Sequence, residues 1–243
     1  MLGVVKRIGL IGGLSWESTA LYYAMLNRRS GEEHGTWRQP LILVDSVDFA
    51  EIVALQRAGD WAGATEVLVD SAKRLEDGGA TVLAICANTM HISYDEIANA
   101  VSIPVVDIRD AVVASIKDLG ASTVVLLGTR YVMEGAFYSS HVERLGVKVV
   151  VPLASEIDEL QSMIYDELTQ GLVREASRSR FLEIAQNGRA RGGDVVGLCC
   201  TEFGLYVNHD NAPWLFVDST EAHVEALLRF ETWAASPHFC LDT

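Results

Sequence analysis

The chain carries one strand–turn–helix pattern twice. Ile8-Gly-Leu-Ile-Gly-Gly13 is echoed by Val124-Val-Leu-Leu-Gly-Thr129, and each run leads into a segment of helical period with paired aromatics, Tyr22 and Tyr23 in one and Phe137 and Tyr138 in the other. The run ending Ile85-Cys86-Ala87-Asn88-Thr89 is echoed by Leu198-Cys199-Cys200-Thr201-Glu202, and Pro104-Val-Val-Asp107 by Pro213-Trp-Leu-Phe-Val-Asp218. The three unlike features recur at nearly one spacing, which chance likeness between ordinary strands does not readily produce. Apolar residues on consecutive positions mark strands buried on both faces. Such strands alternating with helices fold as parallel sheets covered on both sides.

The expected strands are Arg7–Gly12, Pro40–Asp45, Ala80–Cys86, Val105–Asp107, Thr123–Gly128, Lys148–Val151, Asp194–Cys199 and Leu215–Asp218. Helical patterns lie near Ser15–Arg29, Asp60–Leu75, Tyr94–Val101, Asp110–Leu119, Met133–Leu145, Glu156–Gln170, Arg174–Gln186 and Thr220–Trp233. The expected fold class is therefore α/β, with two pseudo-symmetric Rossmann-like halves, residues 1–108 and 109–218, and a chain end (219–243) that packs back onto the first half. No linker rich in Pro, Gly or Ser separates them. Ligands of parallel sheets bind beyond the carboxyl ends of the strands, so a cleft between the halves brings the loops at 87 and 200 face to face.

Charge narrows the partners. Nineteen Lys and Arg against 33 Asp and Glu leave a net charge of −14, which repels nucleic acid and anionic membrane. An anionic ligand then needs local donors against the overall field. No stretch reaches the ~20 apolar residues of a membrane span, and the N-terminus lacks the order of a signal peptide. Four cysteines (Cys86, Cys199, Cys200 and Cys240) make neither a disulfide framework nor a CxxC pair. No His/Cys cluster has metal spacing. The expectation is a cytoplasmic protein with free thiols and no metal.

The densest chemistry sits in Cys199-Cys200-Thr201-Glu202. A strand delivers two thiols to its carboxyl end, followed by a hydroxyl, a carboxylate and a helix-like turn. Backbone N–H groups at such a turn favour anions, which would lower a thiol's pKa from ~8.5. The alternative is that both cysteines are small core residues, the more so for Cys199, which still belongs to the strand. Asn88 and Thr89 occupy the matching place in the first half, as helix caps or as donors to a ligand carboxylate. His91 reads as an ordinary, partly buried histidine. The loop Gly12-Gly-Leu-Ser15-Trp-Glu-Ser-Thr19 lacks both the GxGxxG and the P-loop patterns, yet it presents hydroxyls at a helix start. Arg57 and Arg130 are candidates for a second substrate carboxylate, or else surface ion pairs.

Gly12-Gly-Leu-Ser-Trp-Glu-Ser-Thr19, Asp45-Ser-Val-Asp-Phe49, Asn88-Thr-Met-His91, Leu127-Gly-Thr-Arg-Tyr-Val-Met-Glu134, Cys200-Thr-Glu202 and Asp218-Ser-Thr220 with His223 together resemble the aspartate/glutamate racemase family. The resemblance runs from about residue 7 to residue 230. It implies no cofactor, frequently a homodimer, and a small amino-acid or carboxylate substrate held between the halves. By it, Cys200 is one acid/base, and Ser15, Asn88, Thr89, Thr129, Thr201 and Glu202 surround the substrate. The likeness breaks where the second acid/base belongs: position 87, generally Cys and sometimes Thr in the family, is Ala87. A second departure is Asp107, where relatives often carry His. Racemisation needs one group to remove the Cα proton and another to return one on the opposite face. Four readings follow: a slow or directional amino-acid racemase or epimerase; a one-cysteine decarboxylase resembling arylmalonate decarboxylase; an isomerase using Cys200 as nucleophile, as in maleate isomerases; or an inactive small-carboxylate-binding protein.

Overall fold

The computed structural model describes residues 6–35 and 37–230, so the last residues of the expected C-terminal helix, and Cys240, lie outside the described residues. In the first half β1 (Ile8–Gly12), α1 (Trp16–His34), β2 (Ile42–Ser46), α2 (Phe49–Ala58), α3 (Trp61–Asp77), β3 (Val82–Ile85), α4 (Tyr94–Ala100) and β4 (Val105–Val106) follow in order. Then come α5 (Ile108–Asp118), β5 (Thr123–Gly128), α6 (Arg130–Glu134), α7 (Ala136–Arg144), β6 (Lys148–Val150), α8 (Ala154–Ser162), α9 (Glu175–Ala190), β7 (Val195–Cys199), β8 (Phe216–Asp218) and α10 (Ser219–Phe230). Each expected strand is present: β5 has the expected bounds, β2 begins two residues later and ends one later, and the others are shortened at one or both ends. Among the described residues no helix is long and apolar enough to cross a membrane.

The strands form two four-stranded parallel sheets with one topology, β2-β1-β3-β4 and β6-β5-β7-β8. Ile8 sits in register with Ile42 and Val82 in the first sheet, and Val124 with Val195 in the second. Alternation along a strand sends successive side chains to opposite faces. Ile8 and Leu10 therefore pack with Tyr22 and Leu26 of α1 and with Val224 and Leu227 of α10, whereas Ile11 packs with Leu68 and Leu75 of α3. In the second sheet Val124 and Leu126 face α5 and α7, and Val125 and Leu127 face α8 and α9. α5 follows β4 yet packs on the second sheet; α10 follows β8 yet reaches β3 and β4 of the first. The two helices lie side by side and form the spine between the sheets.

Three local features depart from the sequence reading. α2 was not expected; Asp48 caps it by accepting from Ala50 N at 2.9 Å, and Ile52 and Gln56 are its buried face. The helix expected over Met133–Leu145 is broken by extended Gly135 into α6 and α7. The helix expected to reach Gln170 stops at Ser162, widens into a π turn at Met163–Glu167, and tightens into a 3₁₀ turn that ends at Gly171 with φ 70°. Single π turns of this kind recur at functional sites.

Gly188 lets α9 lie against β5. A Cβ built there would stand 2.3 Å from Val125 Cγ1, inside the van der Waals limit of a side chain with 0% exposure. Gly188→Ala is expected to lower unfolding stability by about 1–3 kcal/mol, the usual range for overpacking, even though alanine has the higher helix propensity. Urea denaturation of the two proteins measures it; an unchanged or higher midpoint would show that α9 can shift outward freely.

Candidate active site

In both sheets the strand order reverses between the first and third strands, β1 and β3 or β5 and β7. Crevices form beyond the carboxyl ends of strands at such a reversal. Here both crevices open into a single narrow cavity of about 60 Å³. Leu14 and Ser15 enter it after β1, Ala87, Asn88 and Thr89 after β3, Thr129 after β5, and Cys200, Thr201 and Glu202 after β7. Gly13 makes the first of these turns possible: its φ is 76°, and a Cβ there would fall 2.2 Å from Val47 O.

Buried hydrogen bonds stitch the halves together around the cavity. Asn88 Oδ1 accepts from Tyr138 OH at 3.0 Å, and Asn88 Nδ2 donates to Ser219 Oγ at 2.9 Å. The amide has two N–H groups, so one remains for the cavity. Tyr138 OH also stands 3.2 Å from Cys199 Sγ. Thr89 Oγ1 and Thr129 Oγ1 share a hydrogen bond of 2.8 Å, while Thr129 also caps α6. Ser15 caps α1 by accepting from Ser18 N and donates to Glu202 Oε1 at 3.2 Å. His91 lies behind this layer. Its Nε2 accepts from Ile108 N, so Nδ1 carries the proton and donates to Ala87 O at 2.8 Å. Burial lowers its pKa to about 4, which keeps the ring neutral as a clamp on the backbone of residue 87.

Cys200 is 8% exposed, and its thiol donates to Glu202 Oε2 at 3.0 Å; Thr201 Oγ1 donates to the same oxygen at 2.7 Å. Burial first, and the Glu202 carboxylate second, push the Cys200 thiol well above its ordinary pKa. This corrects the expectation of a lowered pKa. The turn after Cys200 is a five-residue 3₁₀ segment with too little aligned backbone to offset a carboxylate at hydrogen-bond distance. Cys199 packs on the α5/α7 side of its sheet and Cys200 on the α8/α9 side. Cys86 and Ala87 divide in the same way, Cys86 towards α1 and α10 and Ala87 towards α2 and α3. Burial pushes the Cys199 thiol up to about 12 and raises that of Cys86 as well.

The Asp/Glu/hydantoin racemase family model matches residues 11–227. The chain belongs to that family. A candidate Asp/Glu racemase from Yersinia pestis is 38% identical, with a TM-score of 0.86 and coverage of 93% of this chain and 98% of that one. An aspartate racemase homologue from Pyrococcus horikoshii OT3 is 34% identical, with a TM-score of 0.82 and the same coverage. The broad specificity amino-acid racemase RacX of Bacillus subtilis (strain 168) is 24% identical over 157 residues, 64% of this chain and 66% of RacX, so the match spans just under two thirds of that relative.

Several features of this racemase-family chain stand apart from the cavity. Arg130 is an ion-pair residue, bound to Glu134 at 3.1 Å and to Asp158. Arg57 lines a neighbouring cavity of about 300 Å³ that meets the first at Gln56 and Tyr165. Asp107 caps α5 and holds Arg109 with both carboxylate oxygens. His141, 31 residues beyond Asp110, meets it and Asp107, but the Arg109 guanidinium already occupies Asp107. The sequence reading missed the wall made by Phe49, Ile52, Ile164, Tyr165 and Thr169. For α2 a signal existed, since Asp48 precedes Phe49, Ile52, Val53 and Gln56 at helical spacing.

The Cys200–Glu202 contact makes an expected outcome in alkylation. Modification of Cys200 by iodoacetamide, followed by peptide mass mapping, is expected to rise only on the alkaline side, because the thiolate is the nucleophile. Glu202→Gln removes the second cause of the raised pKa and should move the rising limb to lower pH. A limb that stays in place would show that burial alone sets this thiol.

Proposed function

We propose that this chain is a cofactor-independent amino-acid racemase or epimerase in which Cys200 exchanges the Cα proton, working slowly or in one direction because Ala87 supplies no acid/base. The observation that carries the reading is the Cys200 thiol, which among the three thiols lining the cavity is the one bonded to a carboxylate, where both sheets reverse order, with an alanine at the equivalent position of the other half. Asn88 with its remaining N–H, and the one O–H that the Thr89–Thr129 pair leaves over, are the donors assigned to the substrate carboxylate, with Thr201 joining them by turning its hydroxyl from Glu202. Donors aimed at those oxygens stabilise charge as the carbanion develops. Glu202 relays the Cys200 proton to solvent and returns to its ionised form, leaving the thiolate. The thiolate takes the Cα proton, and the returning proton comes from solvent on the Ala87 side. Neither metal nor organic cofactor enters this scheme. We read the protein as a homodimer in a reducing cytoplasm.

A second reading draws on the raised pKa of Cys200. A thiol held protonated is better prepared to donate than to abstract. A one-cysteine decarboxylase would use that state: loss of carbon dioxide leaves the electron pair on Cα, and the thiol delivers the proton. Incubation in heavy water separates the readings. A racemase exchanges the Cα hydrogen of an amino acid, a decarboxylase releases gas from a malonate, and a binding protein does neither but gains melting temperature with ligand.

Cys200→Ser is expected to lose nearly all exchange and Cys199→Ser to keep most of it; the reverse would move the assignment to the Cys86/Cys199 face of the sheets. Ala87→Cys tests the second position. A positioned acid/base typically contributes about 10²–10⁴-fold, so a restored thiol should raise racemisation measured by optical rotation from both enantiomers. The gain should vanish when Cys200→Ser is added. A folded Ala87→Cys protein that binds substrate yet racemises no faster would count against the two-sided geometry.

A further inference from the structure

The cavity is built for a zwitterion and against a second negative charge. Among the described residues that line it there is no Lys, Arg or His, and its one carboxylate is Glu202. Polar donors gather at the strand ends, while Leu14, Phe49 and Ile52 from the first half and Ile164 and Tyr165 from the second make the facing wall mainly apolar, and the polar groups on it, Gln56, Thr169 and the Tyr165 phenol, are uncharged. The two arginines that could answer a second carboxylate do not line it: Arg130 is held by Glu134 and Asp158, and Arg57 lies beyond Gln56 and Tyr165, exposed in the next cavity.

Resting on the proposed racemase or epimerase activity, we infer that the substrate is an α-amino acid with a neutral, apolar side chain rather than aspartate or glutamate. The α-ammonium group then faces Glu202, the α-carboxylate meets the Asn and Thr donors, and the side chain lies on the apolar wall. A dicarboxylate would bring its extra charge out of water onto that wall with no counter-ion, beside Glu202, in a chain of net charge −14. A buried charge without a partner is strongly disfavoured. Amide and hydroxyl donors suffice for one carboxylate but leave a second uncompensated.

The test measures Cα hydrogen exchange in heavy water for L-leucine, L-methionine and L-phenylalanine against L-aspartate and L-glutamate. The neutral set is expected to exchange at least about tenfold faster in kcat/KM, the discrimination that a pocket contact of this kind supplies. Phe49→Arg places a cation on a half-buried wall position and is expected to shift the ratio towards the dicarboxylates. Faster exchange of aspartate or glutamate by the unmodified protein would overturn the substrate inference and leave the racemase reading intact. If no amino acid exchanges, the racemase reading fails, and the melting-temperature shift with the same two sets decides the inference. A larger shift with the neutral set supports it. A larger shift with the acidic set, or none with either, overturns it.

Discussion

Asn88 stands where the two halves meet, and both ends of its amide are spoken for. Tyr138 donates to its oxygen from α7, and its nitrogen donates to Ser219 at the start of α10. Tyr138 and Asn88 are buried, so an unmade bond there would leave a polar group without water or protein, at a cost of about 1–3 kcal/mol. The positions of the β3 and β7 ends relative to each other depend on this seam, reinforced by the Thr89–Thr129 bond and the edge-to-face contact of Trp61 with Tyr131. Without it the cavity would be two separate crevices.

The repeat explains why the seam can exist. Two sheets of identical order place their reversal points alike, and the spine of α5 and α10 holds the two sheets together, each helix crossing to the sheet of the other half. Alternation then does the sorting. Cys86 packs with α1 and α10 and Cys199 with α5 and α7, and the residue after each, Ala87 or Cys200, turns to the opposite face of its sheet at the matching position. Near-symmetry of backbone with asymmetry of chemistry, a methyl on one side and a thiol paired to Glu202 on the other, is the property from which the proposed directionality arises.

Electrostatics acts in the same direction at several places. Burial neutralises His91 and His223, whose pKa values fall to about 4 and about 3, and each ring is used as a fixed donor and acceptor. Arg109 and Arg130 are held by carboxylates outside the cavity. What remains inside is one carboxylate, several neutral donors and thiols that burial keeps protonated, a combination suited to moving a proton rather than to gathering anions.

The sequence alone determined the strand order along the chain, the α/β class, the two-fold repeat and the residues at the strand ends, because those follow from apolar runs, period and spacing, which are local or repeat at fixed distance. It pointed to Cys200, Thr201, Glu202, Asn88, Thr89, Thr129 and Ser15 through the family motifs. The signal for α2, Asp48 before Phe49, Ile52 and Gln56 at helical spacing, does not say that this helix walls a cavity, and the π turn that delivers Ile164 and Tyr165 to the other side leaves the apolar pattern of an ordinary helix unbroken. The sequence also reversed the sign of the Cys200 pKa shift. A thiol's acidity is set by desolvation and by what lies within hydrogen-bond distance, and only the folded chain decides that Glu202 turns back onto the buried Cys200. The fates of Arg57 and Arg130 were likewise tertiary, since partners such as Asp158 are brought near by packing and not by neighbourhood in the chain.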